Sequence, residues 1–352
     1  MFLALNEMRH EKVHYGLIVT MVTLIGYLIF MLLGLMLGLA KANTAAVDAW
    51  QTQTVVLNKG ANINLNQSII SSDELPKLKA GDSLVGQSPL VITSKNGSNK
   101  QSAQLLGLKE NQPIAKKVTL SEGRWWKKAN EVVLADTLKN KGYHLNQKIK
   151  FSGQAKIYRV VGFAKQGTLN VTPIVYSQLG VWQRLKGGSQ FGASAIFSTR
   201  QFEYEHGNLK SYSKAKYVQK LPGYSAQSQT FTAMIGFLMV ISMAIIGVFL
   251  YILTMQKLPN YAVLRAQGIS AGTLIRATVS QAVLLMVVGG VLSLILTALT
   301  SLILPEAMPF LINWPLAVGL TLVMIILGTL SSVIPVKLIQ RVQPLDALRV
   351  MW

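Results

Sequence analysis

Two histidines one helical turn apart are the residues of this sequence best spaced for metal chemistry. His10 and His14 stand in the segment HEKVH, with Glu11 after the first histidine. This H-E-x-x-H pattern holds zinc in metalloproteases, where the glutamate acts as a base. A zinc site needs a third protein ligand, and the other histidines, His144 and His206, fall in a different part of the chain. A membrane zinc metalloprotease is therefore one hypothesis, and polar residues at the start of a helix are the alternative.

Small residues and methionines recur at helical spacing in two apolar segments. The positions that share a face are Tyr27, Met31, Gly34 and Gly38 in the first segment, and Gly236, Met239, Met243 and Gly247 in the second. Small residues let helices approach closely, and Gly34 with Gly38 forms a G-x-x-x-G pair. Methionine also suits a flat apolar ligand or a haem iron. The two faces therefore predict either helix packing or a substrate groove.

Long apolar runs must position these faces. The chain has 352 residues, of which 51% are hydrophobic and only 14% charged. Each run exceeds the roughly 20 residues that cross a bilayer as a helix. The predicted transmembrane segments are 15–40, 231–255, 277–304 and 311–336, with a short outer loop over 305–310. The sequence thus predicts an α-helical membrane protein with four transmembrane helices.

The lysines and arginines of the short segments give the orientation. They are Arg9 and Lys12 before the first span, Lys257, Arg265 and Arg276 between the second and third, and Lys337, Arg341 and Arg349 in the tail. Because such residues concentrate on the cytoplasmic side, both termini are predicted to be cytoplasmic. The cytoplasmic pieces are an amphipathic helix over 1–14, a loop over 256–276 and a tail over 337–352. The protein is thus predicted to be a multi-pass protein of the plasma membrane, surrounded by lipid.

Residues 41–230 are then predicted to form an extracellular domain of mixed α/β type. The predicted strands are Gln53–Leu57, Pro89–Thr93, Glu131–Leu134, Lys148–Phe151, Ile157–Phe163 and Ala195–Phe197, and the predicted helices are Ala135–Lys141 and Ser177–Lys186. This segment holds 26 of the 34 Lys and Arg residues, which gives it a net charge of +16. Its location excludes nucleic acid as the partner. A solvated surface that faces an anionic cell envelope is favoured over a dedicated anion site.

Catalytic patterns are missing from the sequence. We find no Ser/His/Asp clustering and no paired carboxylates with catalytic spacing. No G-x-x-x-x-G-K-[ST] motif occurs either, so the chain has no phosphate-binding loop of its own. It is predicted to be a non-catalytic subunit with no permanently bound cofactor and no metal.

The segment Met255–Arg276 is the longest polar break in the apolar C-terminal third. Its pattern places Tyr261, Leu264 and Arg265 on successive helical turns, followed by a turn at Gly268-Ile269-Ser270. We interpret it as a short helix that lies across the cytoplasmic ends of two spans. It is predicted to be the element that receives a signal from a partner.

Three features together resemble a known family. They are the insertion of a large domain after the first of four spans, the loop YAVLRAQGIS at 261–270, and the tail RVQPLDALR at 341–349. These features, with EVVLA at 131–135 and RVVGF at 159–163, are similar to the FtsX/MacB-like permeases of ABC transporters. The opening MFLALNEMR and the segment WQTQTVVLN at 50–58 resemble, within that family, the HrtB-type haem-efflux permeases.

The resemblance implies a permease homodimer that works with a separate cytoplasmic ATPase subunit, which binds the ATP. Haem is the implied substrate, exported for detoxification. The residues implied to contact the ATPase are Tyr261, Leu264, Arg265, Gly268, Ile269, Leu345, Asp346 and Arg349. The residues expected to line a lateral haem groove are Met31, Gly34, Gly38, Gly236 and Met239, with Tyr224, Lys41 and Lys220 at its rim. A MacB-like exporter of a peptide or lipid and an FtsX-like regulator of cell-wall hydrolases remain as alternatives.

Overall fold

The chain folds as two compact units. The structure is a computed structural model and describes residues 12–94, 97, 99–305 and 308–340. The membrane unit comprises Met1–Gly38 and Gln229–Trp352, and the α/β unit comprises Leu39–Ser228. Most of the predicted amphipathic helix over 1–14 and of the predicted tail over 337–352 lies outside the described residues.

The helices account for the predicted membrane architecture. In chain order they are α1 (Lys12–Ala49), α2 (Pro113–Lys117), α3 (Leu179–Lys186), α4 (Lys214–Gln219), α5 (Tyr224–Ala266), α6 (Ala271–Ile303), α7 (Trp314–Leu330) and α8 (Val333–Gln340). Within the described part of the chain, four stretches are long and apolar enough to cross a membrane: α1, α5, α6 and Trp314–Gln340, which contains α7 and α8. The prediction of four transmembrane helices is confirmed.

The end of α5 differs from the expectation of a separate short helix. Helix α5 continues through Pro259 to Ala266, and α6 begins at Ala271. Proline lacks a backbone N–H and therefore removes one helical hydrogen bond, but the residues after it continue the helix. The turn lies at the expected place, with Gly268 at φ +91°. Ser270 then caps α6, because its hydroxyl accepts a hydrogen bond from the Thr273 amide at 3.3 Å.

Close helix contacts at small residues hold the membrane unit together. Its core joins side chains of α1, α5, α6 and α7, among them Phe30, Leu250, Met286 and Met324. At Gly289 of α6, an added Cβ atom would lie 2.5 Å from Cγ1 of Val22 in α1. At Gly328 of α7, it would lie 2.6 Å from Cγ of Met286. These glycines are required because any side chain would push neighbouring helices apart.

The strands of the α/β unit form a mixed sheet. They are β1 (Thr54–Asn58), β2 (Ile70–Ser71), β3 (Asp82–Ser94), β4 (Lys100–Leu108), β5 (Leu120–Gly123), β6 (Glu131–Ala135), β7 (Lys148–Phe151), β8 (Ile157–Ala164), β9 (Thr168–Leu169), β10 (Thr172–Gln178), β11 (Phe191–Ala193), β12 (Ala195–Ser198), β13 (Glu205–His206) and β14 (Leu209–Ser213). The main sheet has the order β13-β14-β1-β12-β3-β4-β10-β6-β8-β5. Strand β10 is parallel to β4, and β6 is parallel to β8, while the hairpin β3–β4 is antiparallel.

Both faces of this sheet are buried. Successive residues of a strand point to opposite faces, and in β4 Leu106 and Leu108 join one core while Leu105 joins the other. Tyr176 and Val175 of β10 divide between the cores in the same way. The apolar strands β4 and β10 therefore lack the alternation of polar and apolar residues that marks a half-buried strand.

The predicted strands of this unit all coincide with observed ones, and the mixed α/β class is confirmed. The segment predicted as helix over 135–141 is a 3₁₀ helix, Asp136–Lys141, and the predicted helix over 177–186 is α3. The prediction missed the helices α2 and α4 and the strands β2, β4, β5, β9, β10, β11, β13 and β14. The segment expected to be irregular over 58–72 contains one short 3₁₀ helix and β2.

Candidate functional site

A small apolar cluster surrounds the turn between α5 and α6. Its buried residues are Tyr261 at the end of α5, Leu274 at the start of α6 and Ile339 in α8. The side chains packed against them are Leu264, Ile269 and Ile275. We call these six residues the turn cluster. The turn cluster therefore packs side chains of α5, α6 and α8 against one another.

The expected ATPase-contact residues divide between the interior and the surface of this cluster. Tyr261 is only 3% exposed, and Leu264 and Ile269 are half-buried, so these three side chains pack inside the protein. Gly268 is exposed and Arg265 is half-buried. The remaining residues expected to contact the ATPase, Leu345, Asp346 and Arg349, lie outside the described residues.

Arg265 carries a buried nitrogen that lacks a hydrogen-bond partner. Its Nε atom is inaccessible to solvent and bonds to none of the described residues. A buried donor without a partner costs about 1–3 kcal/mol. The exposed residues of the turn itself are Gln267, Gly268 and Ser270. The turn therefore offers a partner a small polar surface.

A lysine near the end of α5 is buried against α1, which the sequence did not indicate. Lys257 is 7% exposed, and its Nζ donates a hydrogen bond of 2.9 Å to the hydroxyl of Tyr15. The ammonium also lies 5.2 Å from the centre of the Tyr15 ring. The sequence-based interpretation used Lys257 only as a loop charge that orients the chain. No local pattern indicates a contact between residues 242 positions apart.

Gly34 and Gly38 of the expected haem groove face the segment that joins α6 to α7. A Cβ atom added at Gly34 would overlap the ring of Phe310, and one at Gly38 would overlap the backbone of Pro309. The backbone amide of Leu311 donates to the Gly34 carbonyl at 3.0 Å. These two glycines therefore accommodate the 309–311 segment of the same chain.

The other membrane residues expected in the groove are more open. Gly236 has no neighbour within 4 Å of an added Cβ atom, and Met239 is half-buried against the membrane core. Met31 is also half-buried. Helices α1 and α5 are adjacent near this level, since the Thr232 hydroxyl lies 3.9 Å from the sulfur of Met36.

The expected rim residues all belong to the α/β unit. Lys41 is exposed and lies 3.8 Å from Asp48, which also pairs with Lys214 at 2.6 Å. Lys220 is exposed at the C-terminal end of α4. Tyr224 packs against one core of the sheet.

An apolar groove lies along α5 on the side of α7 and α8. Its volume is about 870 Å³, and its lining includes Met243, Gly247 and Tyr251 of α5 with Ser331 and Ile334. The Ser331 hydroxyl donates to the Met243 carbonyl at 2.8 Å and so joins the two sides. The periodicity of the sequence identified Met243 and Gly247 as one face, but not the helix that this face meets.

The structure gives no support to a zinc site among the residues that it covers. His10 and Glu11 of the HEKVH segment lie outside them, and His14 is exposed. In that part of the chain no three His, Cys, Asp or Glu side chains are grouped as metal ligands would be.

Comparison with known proteins agrees with the membrane architecture. Residues 232–344 match the family described as FtsX-like permease C-terminal. The chain is 23% identical over 359 residues to a protein of Staphylococcus epidermidis named as a hemin transport system permease, HrtB, with 99% of each chain covered. It is 23% identical over 356 residues to an uncharacterized ABC transporter permease of Mycobacterium tuberculosis, with 98% of each covered.

Among solved structures, the periplasmic region of MacB from Actinobacillus actinomycetemcomitans is 13% identical, with a TM-score of 0.36, and covers 48% of this chain and 91% of its own. The family match covers α5, the turn cluster and the helices that follow it. The predicted resemblance to FtsX-like permeases is confirmed. The match lies on three of the four membrane-spanning stretches of the described residues, so this part of the chain is similar to FtsX-like permeases, and the chain is a multi-pass membrane protein.

Proposed function

We propose that this chain is the permease subunit of an ABC exporter that removes haem from the membrane and so prevents haem toxicity. The observation that carries the proposal is the similarity to the HrtB hemin transport permease, which extends over 99% of both chains. Because it also includes the α/β unit, the relationship extends to the whole architecture.

A separate ATPase subunit would supply the energy. The sequence contains no G-x-x-x-x-G-K-[ST] motif, which is the usual loop for binding ATP phosphates. We propose that two copies of the chain work with two copies of the ATPase. The turn cluster suits the contact, since it connects an exposed polar turn to α5, α6 and α8.

Within the coupling site we assign two kinds of role. Arg265 and Gly268 would contact the ATPase, whereas Tyr261, Leu264 and Ile269 would transmit the movement by packing inside the turn cluster. The exposure of these residues supports this division, because Gly268 is exposed and Arg265 is half-buried at the surface of the turn cluster, whereas Tyr261 is buried. In the tail, Leu345, Asp346 and Arg349 are proposed to support the same contact.

The coupling proposal is tested by Arg265→Glu in proteoliposomes that contain the permease and its ATPase. We expect normal membrane insertion, but loss of the haem-dependent rise in ATP hydrolysis and loss of haem export. Arg276→Glu is the matched control, because Arg276 is an exposed arginine in the first turns of α6 and undergoes the same charge reversal. Normal export by the Arg265 variant, or equal loss in both variants, would reject the assigned role.

For the substrate, we propose a lateral groove between α1 and α5 of the dimer, with Met31 and Met239 nearest the haem. Gly236 leaves open space on α5 for a flat ligand. Gly34 and Gly38 would shape the groove indirectly, by letting the 309–311 segment lie close to α1. At the rim, the haem propionates would bind to Lys41, Lys220 and Tyr224.

Haem titration of the purified full chain in lipid nanodiscs tests these ligands. The double variant Met31→Ala, Met239→Ala is expected to weaken haem binding and to change the haem absorption spectrum. The double variant Met21→Ala, Met255→Ala is the control, since both of its methionines are exposed. Unchanged affinity and spectrum in the first variant would remove Met31 and Met239 as ligands.

Growth of a deletion strain on graded concentrations of haemin tests the substrate class itself. We expect lower tolerance to haemin in the deletion strain and recovery when the gene is restored. Unaltered tolerance would instead favour a peptide or lipid as the exported substrate.

A further inference from the structure

We propose that the α/β unit contains a second binding site, which takes a small organic carboxylate with a short apolar or aromatic body. The site is a pocket of about 230 Å³ that combines Arg200, Lys77 and Lys79 with Phe202 and Tyr204. It lies within one unit and is independent of the proposed haem groove.

The wall of the pocket is an extended segment that hydroxyl groups hold in place. The backbone amide of Arg200 donates to Ser198 Oγ at 3.2 Å, and that of Phe202 donates to Thr54 Oγ1 at 3.3 Å. The amide of Tyr204 donates to the hydroxyl of Ser211 at 2.8 Å. Alternate residues of an extended chain point the same way, so the side chains of residues 200, 202 and 204 line one surface. The segment has no regular structure, yet it is anchored at each of these residues.

The charge balance of the pocket leaves cationic donors available. Asp82, whose side chain is 8% exposed, accepts two hydrogen bonds from Nη2 of Arg200, at 2.9 and 3.1 Å, and one from the Lys79 amide at 2.8 Å. The carboxylate is thereby neutralised. Lys77 and Lys79 are exposed and form no ion pair with any described residue. Glu203 is the other acidic side chain of the lining. The lining therefore has three basic and two acidic side chains, which gives a net charge of +1.

Arg200 lines the pocket with a partly exposed guanidinium. Its side chain is 39% exposed, and its Nη2 atom is the one bonded to Asp82. Its Nε atom is buried and has no hydrogen-bond partner among the residues that the structure describes. Its guanidinium carbon lies 5.3 Å from the centre of the Phe202 ring, which is a cation–π contact. A planar carboxylate is the acceptor that best matches the rigid geometry of a guanidinium, so the exposed part of this group suits an anion that the protein itself does not provide.

The remaining surfaces indicate what the carboxylate is attached to. Val56 and Ile196 form an apolar floor, and each is 2% exposed. Phe202 and Tyr204 add aromatic walls. The volume is below the roughly 300–1,000 Å³ of pockets for drug-sized molecules. A single aromatic ring or a short chain fits this space, whereas a porphyrin does not.

The proposal is tested by calorimetric titration of the full chain in nanodiscs with benzoate, benzamide and inorganic phosphate. We expect saturable binding of benzoate and at least about tenfold weaker binding of benzamide, which has the same shape but no charge to pair with the guanidinium. Phosphate is also expected to bind more weakly, because it does not use the apolar floor. Equal binding of benzoate and benzamide, or no saturable binding of benzoate, would overturn the proposal.

Two pocket variants locate the site. Arg200→Lys keeps a cation beside Asp82 but loses the planar guanidinium, so benzoate binding should weaken about tenfold. Lys77→Gln with Lys79→Gln leaves the buried pair intact and should weaken binding severalfold. The control is Lys127→Gln with Lys128→Gln, which removes the same charge from an exposed lysine pair elsewhere in the α/β unit.

If benzoate were held only by the overall positive charge of the unit, both double lysine variants would weaken its binding equally. That result would reject a binding site in the pocket. Haem export should be normal in all three variants. Failure of the carboxylate site is therefore distinguishable from failure of the proposed export function. A lower unfolding temperature of Arg200→Lys would identify a folding defect, and in that event the lysine variants, with their control, decide the question.

Discussion

In the membrane unit, buried hydroxyls donate to backbone carbonyls of the preceding helical turn, whereas in the α/β unit buried carboxylates pair with arginines. Ser293 of α6 donates to the Gly289 carbonyl at 2.7 Å and to the Thr23 carbonyl at 2.9 Å. Glu131 of β6, 7% exposed, accepts two hydrogen bonds from Arg124, at 2.8 and 2.9 Å. The two units thus satisfy buried polar groups with different chemistry.

The physical reason is the surrounding solvent. A charge is costly in lipid, so polar groups there are small and are satisfied within helices. The domain outside the membrane has water at its surface, and its arginines can reach inward while remaining partly hydrated, as Arg124 does with a side chain 47% exposed. Stability therefore depends on close helix approach in one unit and on paired charges and aromatic packing in the other.

The largest effect is expected at a close approach in the membrane unit. Gly289→Leu would place a side chain where the Cβ atom alone is 2.5 Å from Val22, so α1 and α6 must separate. We expect a loss of about 3 kcal/mol or more, seen as a lower unfolding temperature and aggregation in detergent. The control is Gly319→Leu in α7, where nothing lies within 4 Å. Equal losses at both sites would show that helix approach is not the cause.

A smaller effect is expected at the buried carboxylate of the α/β unit. Glu131→Gln removes the charge that accepts from Arg124 and from the amides of Lys127 and Lys128. We expect a loss of about 2 kcal/mol in the free energy of unfolding, measured by tryptophan fluorescence. Glu122→Gln, which breaks the exposed pair with Lys139, should cost less than about 1 kcal/mol. Similar losses would contradict the role of burial.

The same carboxylate predicts a pH dependence. The hydrogen bond from Arg124 lowers the pKa of Glu131 to about 2, with the two backbone amides acting in the same direction against the effect of burial. Since the pKa is lower in the folded state, this stabilisation is complete above the ordinary carboxyl pKa of 4.5 and is lost as the pH falls towards 2. The difference in stability between the native protein and Glu131→Gln should shrink over that interval. A constant difference would contradict the assignment.

The contact between α1 and α5 tests whether the membrane unit uses any charge at all. Tyr15→Phe keeps the ring beside the Lys257 ammonium but removes the hydroxyl that accepts its hydrogen bond at 2.9 Å. We expect a loss of about 1–2 kcal/mol, measured as a shift in thermal unfolding in detergent. Tyr251→Phe, at a tyrosine that is 39% exposed, serves as the control and should have little effect. An unchanged unfolding temperature for Tyr15→Phe would show that the hydrogen bond from Lys257 does not contribute to the stability of this unit.

The smallest effect is expected at the cap of α6. Ser270→Ala removes the acceptor for the Thr273 amide and should cost about 1 kcal/mol. Ser270→Asp retains an acceptor and places a negative charge at the N-terminus of a helix, so it should preserve stability. Thermal unfolding of both variants in nanodiscs measures the difference. Equal destabilisation by Ala and Asp would indicate a role for the hydroxyl other than capping.

The sequence predicted the membrane unit more completely than the α/β unit. Length and hydrophobicity are enough to identify a membrane helix, so the sequence predicted the four spans. In the α/β unit, β6, β7 and β8 were recognised, although β6 is buried on both faces and lacks alternation. Strand β4 was missed because it contains no β-branched or aromatic residue, and β10 because a proline stands near its start. The turn after α5 was located from Gly268, whereas the continuity of α5 through Pro259 depends on packing that no local pattern shows.

By itself, the sequence determined the number of spans and the position of the inserted domain, and it predicted the orientation of the spans. These follow from local properties, namely apolar length and loop charge. Only the tertiary structure decided that Lys257 meets Tyr15, that Gly34 and Gly38 accommodate the 309–311 segment, and that Arg200 leaves one donor unsatisfied in a pocket. Each depends on contacts between residues distant along the chain, which composition and periodicity do not specify.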